Sequence, residues 1–304
     1  MTIALPPGIT VFERGWLSAN NILFQGPEGN ALIDSGYATH ADQTVALVRA
    51  ALGTRALTHL LNTHLHSDHC GGNAALQAAY PALQTLIPPG QAHAVRAWDD
   101  DHLTYVLTGQ TCARFRIDGV LLPDTTFTLA GLTWQVHAAP GHDPHSVVFF
   151  QPDHRLLISA DALWENGFGV VFPELEGEDA FGEVGATLDL IEGLAPLTVI
   201  PGHGRIFTDV SGALARARTR LDQFAGAPDK HLRHAAKVLI KFKLLEWQRL
   251  PLSDFEAWAR GTPYLLNLQQ RMGHTHFEHW LTPMVDELVK SGAAQREDGW
   301  LVNA

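Results

Sequence analysis

Cysteine is nearly absent: Cys70 and Cys112 are the only two in 304 residues. Two thiols cannot build a disulfide framework, and Cys70 sits inside a histidine cluster where a free thiol is preferred. A small disulfide-stapled secreted scaffold is thereby excluded, and a reducing, cytoplasmic setting is expected. Long apolar runs are missing too. No stretch approaches the roughly 18 to 20 residues needed to cross a bilayer, and residues 1–8 lack the basic region and apolar core of an export signal. The expectation is a soluble protein with no membrane partner. Basic residues are few: 21 Lys and Arg face 32 Asp and Glu, a formal charge of −11, which argues against broad nucleic-acid binding. Internal repeats and low-complexity tracts are also lacking.

The charge is unevenly distributed. Residues 1–213 carry 8 basic and 22 acidic side chains, a net −14, whereas residues 214–304 carry 13 and 10, a net +3. That shift, in a chain longer than one average domain, predicts a catalytic unit over residues 1–212 and a smaller one over 213–304.

In the first unit, β-rich runs at 30–34, 57–62, 115–121, 126–129, 133–138, 146–150, 156–159 and 198–200 alternate with helical pattern such as 41–52, which indicates an α/β protein. Beyond residue 209 the pattern turns helical. A helix over 231–250 places Ala235, Val238, Leu239, Phe242 and Leu245 among its apolar positions, with Arg233, Lys237 and Lys241 on another face. Ser253 and Glu256 are spaced as a capping box for a short helix, further helices follow over 262–272 and 275–290, and Asp298-Gly299 makes a two-residue turn closing a hairpin. Helices followed by a hairpin suggest a winged-helix-like tail, whose apolar helices would also offer a homodimer contact.

The strongest chemical signal is His64-Leu65-His66-Ser67-Asp68-His69, directly after the apolar run 57–62. Four metal-binding side chains in six positions are hard to explain as packing. Neutral imidazole nitrogens with a carboxylate oxygen suit zinc, and iron or manganese also accept them. Gly71 and Gly72 let the backbone turn tightly afterwards. Three more loops after predicted strands supply His142, Asp161 and His203; each alone would be unremarkable, but together with the cluster they complete a two-metal donor set.

In this order of motifs the chain resembles the metallo-β-lactamase-fold hydrolase superfamily, glyoxalase II-like enzymes included, over roughly residues 9–210. The resemblance implies an αββα sandwich with the site at one edge. It assigns His64, His66 and His142 to one divalent metal, Asp68, His69 and His203 to the other, and Asp161 to a bridge between them, with Asp34 supporting the ligands through hydrogen bonds. It implies hydrolysis by a water activated between the two metals, with Asp68 as the catalytic residue that takes or relays the proton. His66 stands where the oxygen-reducing di-iron branch carries Glu, and Asp161 where the best-known zinc β-lactamases carry Cys, so neither of those activities is expected. Cys70 is read as a small residue packed beside the site.

Weaker candidates for substrate contact are His145, three residues after His142, and Trp164, Phe168 and Phe172 in the acidic stretch after Asp161. Lys237 and Lys241 would reach an anionic substrate from the tail. His274, His276 and His279 are read as chance spacing on an amphipathic helix. The first function expected is hydrolysis of a carbonyl ester, thioester or lactone of a small molecule. The alternatives are a phosphodiesterase or endoribonuclease whose tail binds nucleic acid, for which +3 is a weak electrostatic footprint, and a non-enzymatic interaction module with structural metals, which would normally have closed four-ligand sites.

Overall fold

The structure is a computed structural model describing residues 3–304; Met1 and Thr2, which open the stretch expected to lack an export signal, lie outside the described residues. The first sheet contains β1 (Ile9–Phe12), β2 (Asn21–Gly26), β3 (Gly29–Ile33), β4 (His59–Leu61), β5 (Gln84–Ile87) and β6 (Gly119–Val120), adjacent in that order. Its first three strands are antiparallel and the rest join in parallel. The second contains β7 (Thr126–Leu129), β8 (Leu132–Ala138), β9 (Val147–Gln151), β10 (Leu156–Ala160) and β11 (Thr198–Pro201), with β10 and β11 its parallel pair.

Side chains alternate across a strand, and here both sides are apolar. Ile22, Phe24, Ala31 and Ile33 meet Trp134, Val136, Phe149 and Ile158 between the sheets. The intervening Leu23 and Leu32 point outward against α1 (Ala41–Leu52), which contributes Val45, Val48 and Leu52. After α2 (Ser67–Cys70), α3 (Asn73–Ala79) adds Leu76 to the same layer. Further on are α4 (Ala92–Ala97), α5 (Asp100–Leu103) and α6 (Phe172–Glu176). On the far side, Val148, Phe150, Leu157 and Val199 pack against α7 (Phe181–Leu194) and α8 (Val210–Ala225). Near-continuous apolar runs such as 147–150 follow from burial on both faces, and the result is the expected α/β sandwich of four layers.

The cut expected between residues 212 and 213 falls in the first turn of α8, whose Ala213, Leu214 and Ala217 pack on the second sheet. We infer the division at Gly226-Ala227, between α8 and α9 (Pro228–Trp247). From there a separate apolar cluster unites α9 with α10 (Leu252–Arg260), α11 (Pro263–Arg271) and α12 (Phe277–Lys290) around Trp280, Leu265 and Leu239. A three-stranded sheet completes it, β12 (Arg249–Pro251) and β13 (Ala294–Glu297) flanking β14 (Trp300–Asn303). The hairpin turn stands as expected, with Asp298 and Gly299 at φ 40° and 85°. The capping box does not form: Pro251 precedes α10, and Ser253 lies inside the helix, its hydroxyl turned to Asp254. No helix among the described residues is long and apolar enough to cross a membrane.

The tail is joined to the sandwich through buried contacts. Val170 and Leu175 belong to its apolar cluster, and Asn267 donates to the Leu175 carbonyl at 3.0 Å. His231 of α9 accepts from the Val171 N–H at 3.1 Å between the rings of Phe181 and Phe224. Burial, with His234, Arg220 and Arg271 nearby, lowers the His231 pKa to about 3. A depressed histidine stabilises the fold above its unfolded value, near 6.5, and this contribution is lost as pH falls toward the folded value. Wild-type stability in urea should therefore decline on the acid side of pH 6.5 by up to about 1.4 kcal/mol per pH unit from this group. In His231→Gln, which keeps an acceptor for Val171, that decline should be shallower; equal slopes in the two proteins would refute the assignment.

Candidate metal centre

Five loops converge at one edge of the sandwich because they leave successive strands at the same end. Asp34 follows β3, the His64 to His69 segment follows β4, and His142 lies between β8 and β9. Asp161 and His203 follow β10 and β11. Local backbone requirements are strict there. Asp34 occupies the left-handed region at φ 58°, where Asp is tolerated better than most residues. A side chain at Gly169 would drive its Cβ into the His142 ring at Nδ1, and one at Gly202 would collide with Asp161 Oδ1, so both close approaches require glycine.

The seven proposed donors divide into two groups. Ring nitrogens of His64, His66 and His142 form one, and Asp68, His69, Asp161 and His203 the other, the ligand atoms of each lying within 4.8 Å of one another. His66 Nδ1 is 3.1 Å from His64 Nε2 and 2.8 Å from His142 Nε2. In the second group Asp68 Oδ2 lies 3.0 Å from His203 Nε2 and 3.9 Å from His69 Nε2. Asp161 Oδ2 is 3.4 Å from His142 Nε2, 3.4 Å from His69 Nε2 and 3.8 Å from His203 Nε2. One carboxylate oxygen thus borders both groups, the position a bridging ligand requires.

The outer nitrogens fix the tautomers of three of these rings. His142 Nδ1 faces the Val170 carbonyl at 2.5 Å, His203 Nδ1 the Gly15 carbonyl at 3.1 Å, and His69 Nδ1 the Asp34 carboxylate at 2.7 Å. These partners only accept, so each Nδ1 carries a proton and Nε2 is the nitrogen that each ring turns inward. His69 Nε2 is buried with no hydrogen-bond partner. A buried imidazole nitrogen without a hydrogen-bond partner, facing carboxylates among the described residues, is what a metal cation satisfies, and on that observation the residues present fit a metal centre.

The electrostatics agree. Burial, with neighbouring imidazoles, holds the His64 pKa well down and lowers that of His66 to about 4, so both rings are neutral donors at neutral pH. Burial opposes charge on Asp68 and Asp161 as well, yet His69 and His203 beside them keep both as carboxylates, Asp161 strongly so. Against their own burial, His69 is pushed well upward by Asp161, Asp34 and Asp68, and His203 upward by Asp161 and Asp68; the carboxylates thus favour positive charge at the inward Nε2 of both rings, a charge that a metal cation would supply in place of a proton. Three buried acids around two imidazoles make a negative hole that attracts cations. Asp34 also accepts from the Thr63 N–H at 2.9 Å and the Thr63 hydroxyl at 2.8 Å.

The donors face a cavity of about 560 Å³ whose far wall is α9 and α12. Trp164 lines it and donates from Nε1 to Asp161 Oδ1 at 3.1 Å. Phe172 lines it with its ring 4.5 Å from that of His66. Two other expected contacts fall elsewhere. Phe168 is buried in the apolar layer between the second sheet and α8, because its neighbour Gly169, and not Phe168, turns toward the cavity. His145 packs over Gly90 and is no part of the cavity wall; its backbone N–H donates to Asp143 at 2.7 Å. Lys237 and Lys241 do line the cavity, but Lys237 pairs with Glu287 at 2.8 Å. Lys241 donates to Asn303 and the Ala293 carbonyl, both at 2.6 Å, so neither ammonium is a free anion receptor. Cys70 points away from the donors, its Sγ 3.2 Å from the Tyr105 hydroxyl and 3.9 Å from Cys112 Sγ. The His274, His276 and His279 group is absent from the metal-competent clusters of the described residues.

Sequence reasoning missed Trp16 and Asn20. Trp16 is 57% exposed and stacks on His203 at 5.5 Å and 8°, and Asn20 ties the His203 loop by donating to the Pro201 and Gly204 carbonyls, each at 2.9 Å. Both lie in an irregular connection with no periodicity to flag them.

The profile of the Metallo-beta-lactamase superfamily matches residues 14–203. A hydroxyacylglutathione hydrolase of Anaeromyxobacter dehalogenans (strain 2CP-C) is 30% identical over 241 residues, 75% of this chain and 81% of that protein. Among solved structures, a metallo-beta-lactamase family protein of Thermus thermophilus shares the fold with a TM-score of 0.58 at 18% identity, covering 99% of this chain and 100% of the other. The protein TTHA1623, solved in a di-iron-bound form, has a TM-score of 0.52 at 27% identity over 69% of this chain and 99% of its own.

Replacing Asp34 by Asn preserves the left-handed backbone but removes the charge that orients His69. Metal retention, measured by competition with a chelator, is expected to weaken roughly 10- to 100-fold with the circular dichroism spectrum unchanged. Retention equal to wild type would remove Asp34 from its supporting role.

Proposed function

We propose, from the premise that the chain belongs to the metallo-beta-lactamase superfamily and is a metal-dependent hydrolase, that its substrate is a carbonyl ester, thioester or lactone of a small molecule. The observation that carries this reading is the cleft in which both donor groups meet the apolar side chains of α9. Such a concave, mostly apolar site suits a small molecule. The relative named hydroxyacylglutathione hydrolase acts, by that name, on an acylated thiol, which supports the thioester member of the class.

His64, His66 and His142 would hold one divalent ion, and Asp68, His69 and His203 the other, with Asp161 shared. The donor set suits zinc first, with iron or manganese as alternatives. Two such ions supply an acidified water and a Lewis acid for the substrate oxygen. The chain's own residues supply the rest. Asp68, whose side chain is 14% exposed, is the more accessible carboxylate of the second group, which supports it as the residue that would take or relay the proton. Trp164 Nε1–H fixes the other oxygen of Asp161, leaving Oδ2 turned to both groups. Phe172 and Trp164 limit water beside the reacting centre.

The nuclease reading loses its footprint here, since the tail lysines facing the cavity are already engaged by Glu287 and Asn303. A purely structural role for the metals fits poorly with donors that open onto a cavity.

The test is elemental analysis with activity on thioester, lactone and phosphodiester panels before and after chelation. About two metals per chain and chelator-sensitive thioester or ester cleavage are expected. Phosphodiester cleavage alone would replace the reading with the nuclease one. Asp68→Ala should lower turnover at least about 100-fold while the protein remains folded; full activity in that variant would overturn its role.

A further inference from the structure

α9 carries two apolar stripes: one enters the tail's core, and the other faces the cavity, where Phe242 also packs edge-on against Tyr37 with ring centres 5.0 Å apart. Leu232, Ala235, Ala236, Leu239 and Ile240 enter the tail's core. Val238, Phe242 and Leu245, spaced i, i+4 and i+7, form a second stripe along the cavity wall. Val238 is 37% exposed. Their span is about 10 Å at 1.5 Å per residue, and Phe172 and Leu288 also line the cavity. Apolar surface left open toward a reaction centre favours an apolar group in the ligand.

The charges on the same wall are unequal. Lys237 and Lys241 are engaged, as described above. Arg220 of α8 is not: it lines the cavity, has no carboxylate within 4 Å among the described residues, and makes only long contacts of 3.4 and 3.5 Å to the Asn166 and Phe168 carbonyls. Its guanidinium stands 5.6 Å from the centre of the Phe224 ring, and the same ring lies 5.6 Å from that of His234. His234 precedes Val238 by one helical turn on the cavity-facing side of α9. Arg220 therefore marks the N-terminal end of the apolar stripe. Removing a guanidinium from water without a counter-ion is unfavourable, and burial does lower its pKa; an anion in the ligand offsets that penalty through charge-assisted hydrogen bonds.

We propose that the substrate is an amphiphilic anion, an ester or thioester whose apolar chain of several carbons lies along Val238, Phe242 and Leu245 and whose negatively charged group pairs with Arg220. This rests on the hydrolase reading above and narrows it.

Two measurements on the full-length, metal-loaded protein test it. The first is calorimetric binding of acetate, butanoate, hexanoate and octanoate, which needs no turnover. Affinity should rise about threefold to fourfold per methylene. It should lose its length dependence in Val238→Asp, or in Phe242→Ser should the first variant fail to fold, and should drop at least tenfold for octanoate in Arg220→Gln. The second is kcat/KM for acyl thioesters of 3-mercaptopropionate against those of 2-mercaptoethanol, with acyl chains of two to eight carbons. Longer chains and the anionic thiol should be preferred, with Arg220→Gln raising KM for the anionic series and leaving kcat nearly unchanged. Binding independent of chain length and of Arg220 would overturn the proposal, even if short thioesters are cleaved efficiently. Binding that follows length and Arg220 without cleavage of any ester or thioester would uphold the amphiphile site and remove the hydrolase reading beneath it.

Discussion

The carboxylate of Asp34 ties together the loops on which the site depends. It sits in a left-handed turn at the end of β3 and accepts from the Thr63 N–H, the Thr63 hydroxyl and His69 Nδ1. Those bonds lock the first residue of the histidine segment and its last ring in one frame. A buried acid is tolerable only when its lone pairs are met, and Asp34 meets that condition by organising the loop around itself. The orientation of His69, whose inward Nε2 has no hydrogen-bond partner among the described residues, follows from this contact.

The sandwich provides the rigidity that such an arrangement requires. Strands apolar on both faces can be buried only between two further layers, and α1 with α3 on one side and α7 with α8 on the other are those layers. Loops that leave the strand ends inherit the positions of the strands, so donors as distant in sequence as His64 and His203 arrive within one site. The tail acts differently. It has its own apolar cluster, yet Val170 and Leu175 join that cluster, and α9 turns its second apolar stripe to the cavity that the proposed donors face. A helix with one face in a core and a second face on a cavity is a wall that also selects.

Where sequence reasoning went astray, the cause lies in direction, which periodicity alone does not carry. Phe168 and Phe172 share a loop and a residue type, but only Phe172 faces the cavity, because Phe168 is drawn into the layer beneath α8. Lys237 and Lys241 line the cavity, but their acceptors come from α12 and the last strand, some fifty to sixty residues away. Ser253 and Glu256 have the spacing of a cap, but Pro251 sets the start of the helix and leaves Ser253 inside it. We infer a division later than the charge shift suggests because that shift marks surface character, whereas the buried face of α8 packs on the sandwich.

The sequence by itself determined the chemistry: His64, His66, Asp68 and His69 in six positions are legible because metal ligation demands particular atoms, and the apolar runs before each motif announce strands whose ends carry them. It also determined the hairpin turn, since Asp298-Gly299 satisfies a local backbone requirement. Tertiary structure alone decided that Asp161 Oδ2 borders both donor groups, that Trp16 stacks on His203, and that Arg220, beside an apolar stripe, has no carboxylate within 4 Å among the described residues. Those facts depend on contacts between segments far apart in the chain, and such contacts are set by how layers pack, which no local pattern of residues encodes.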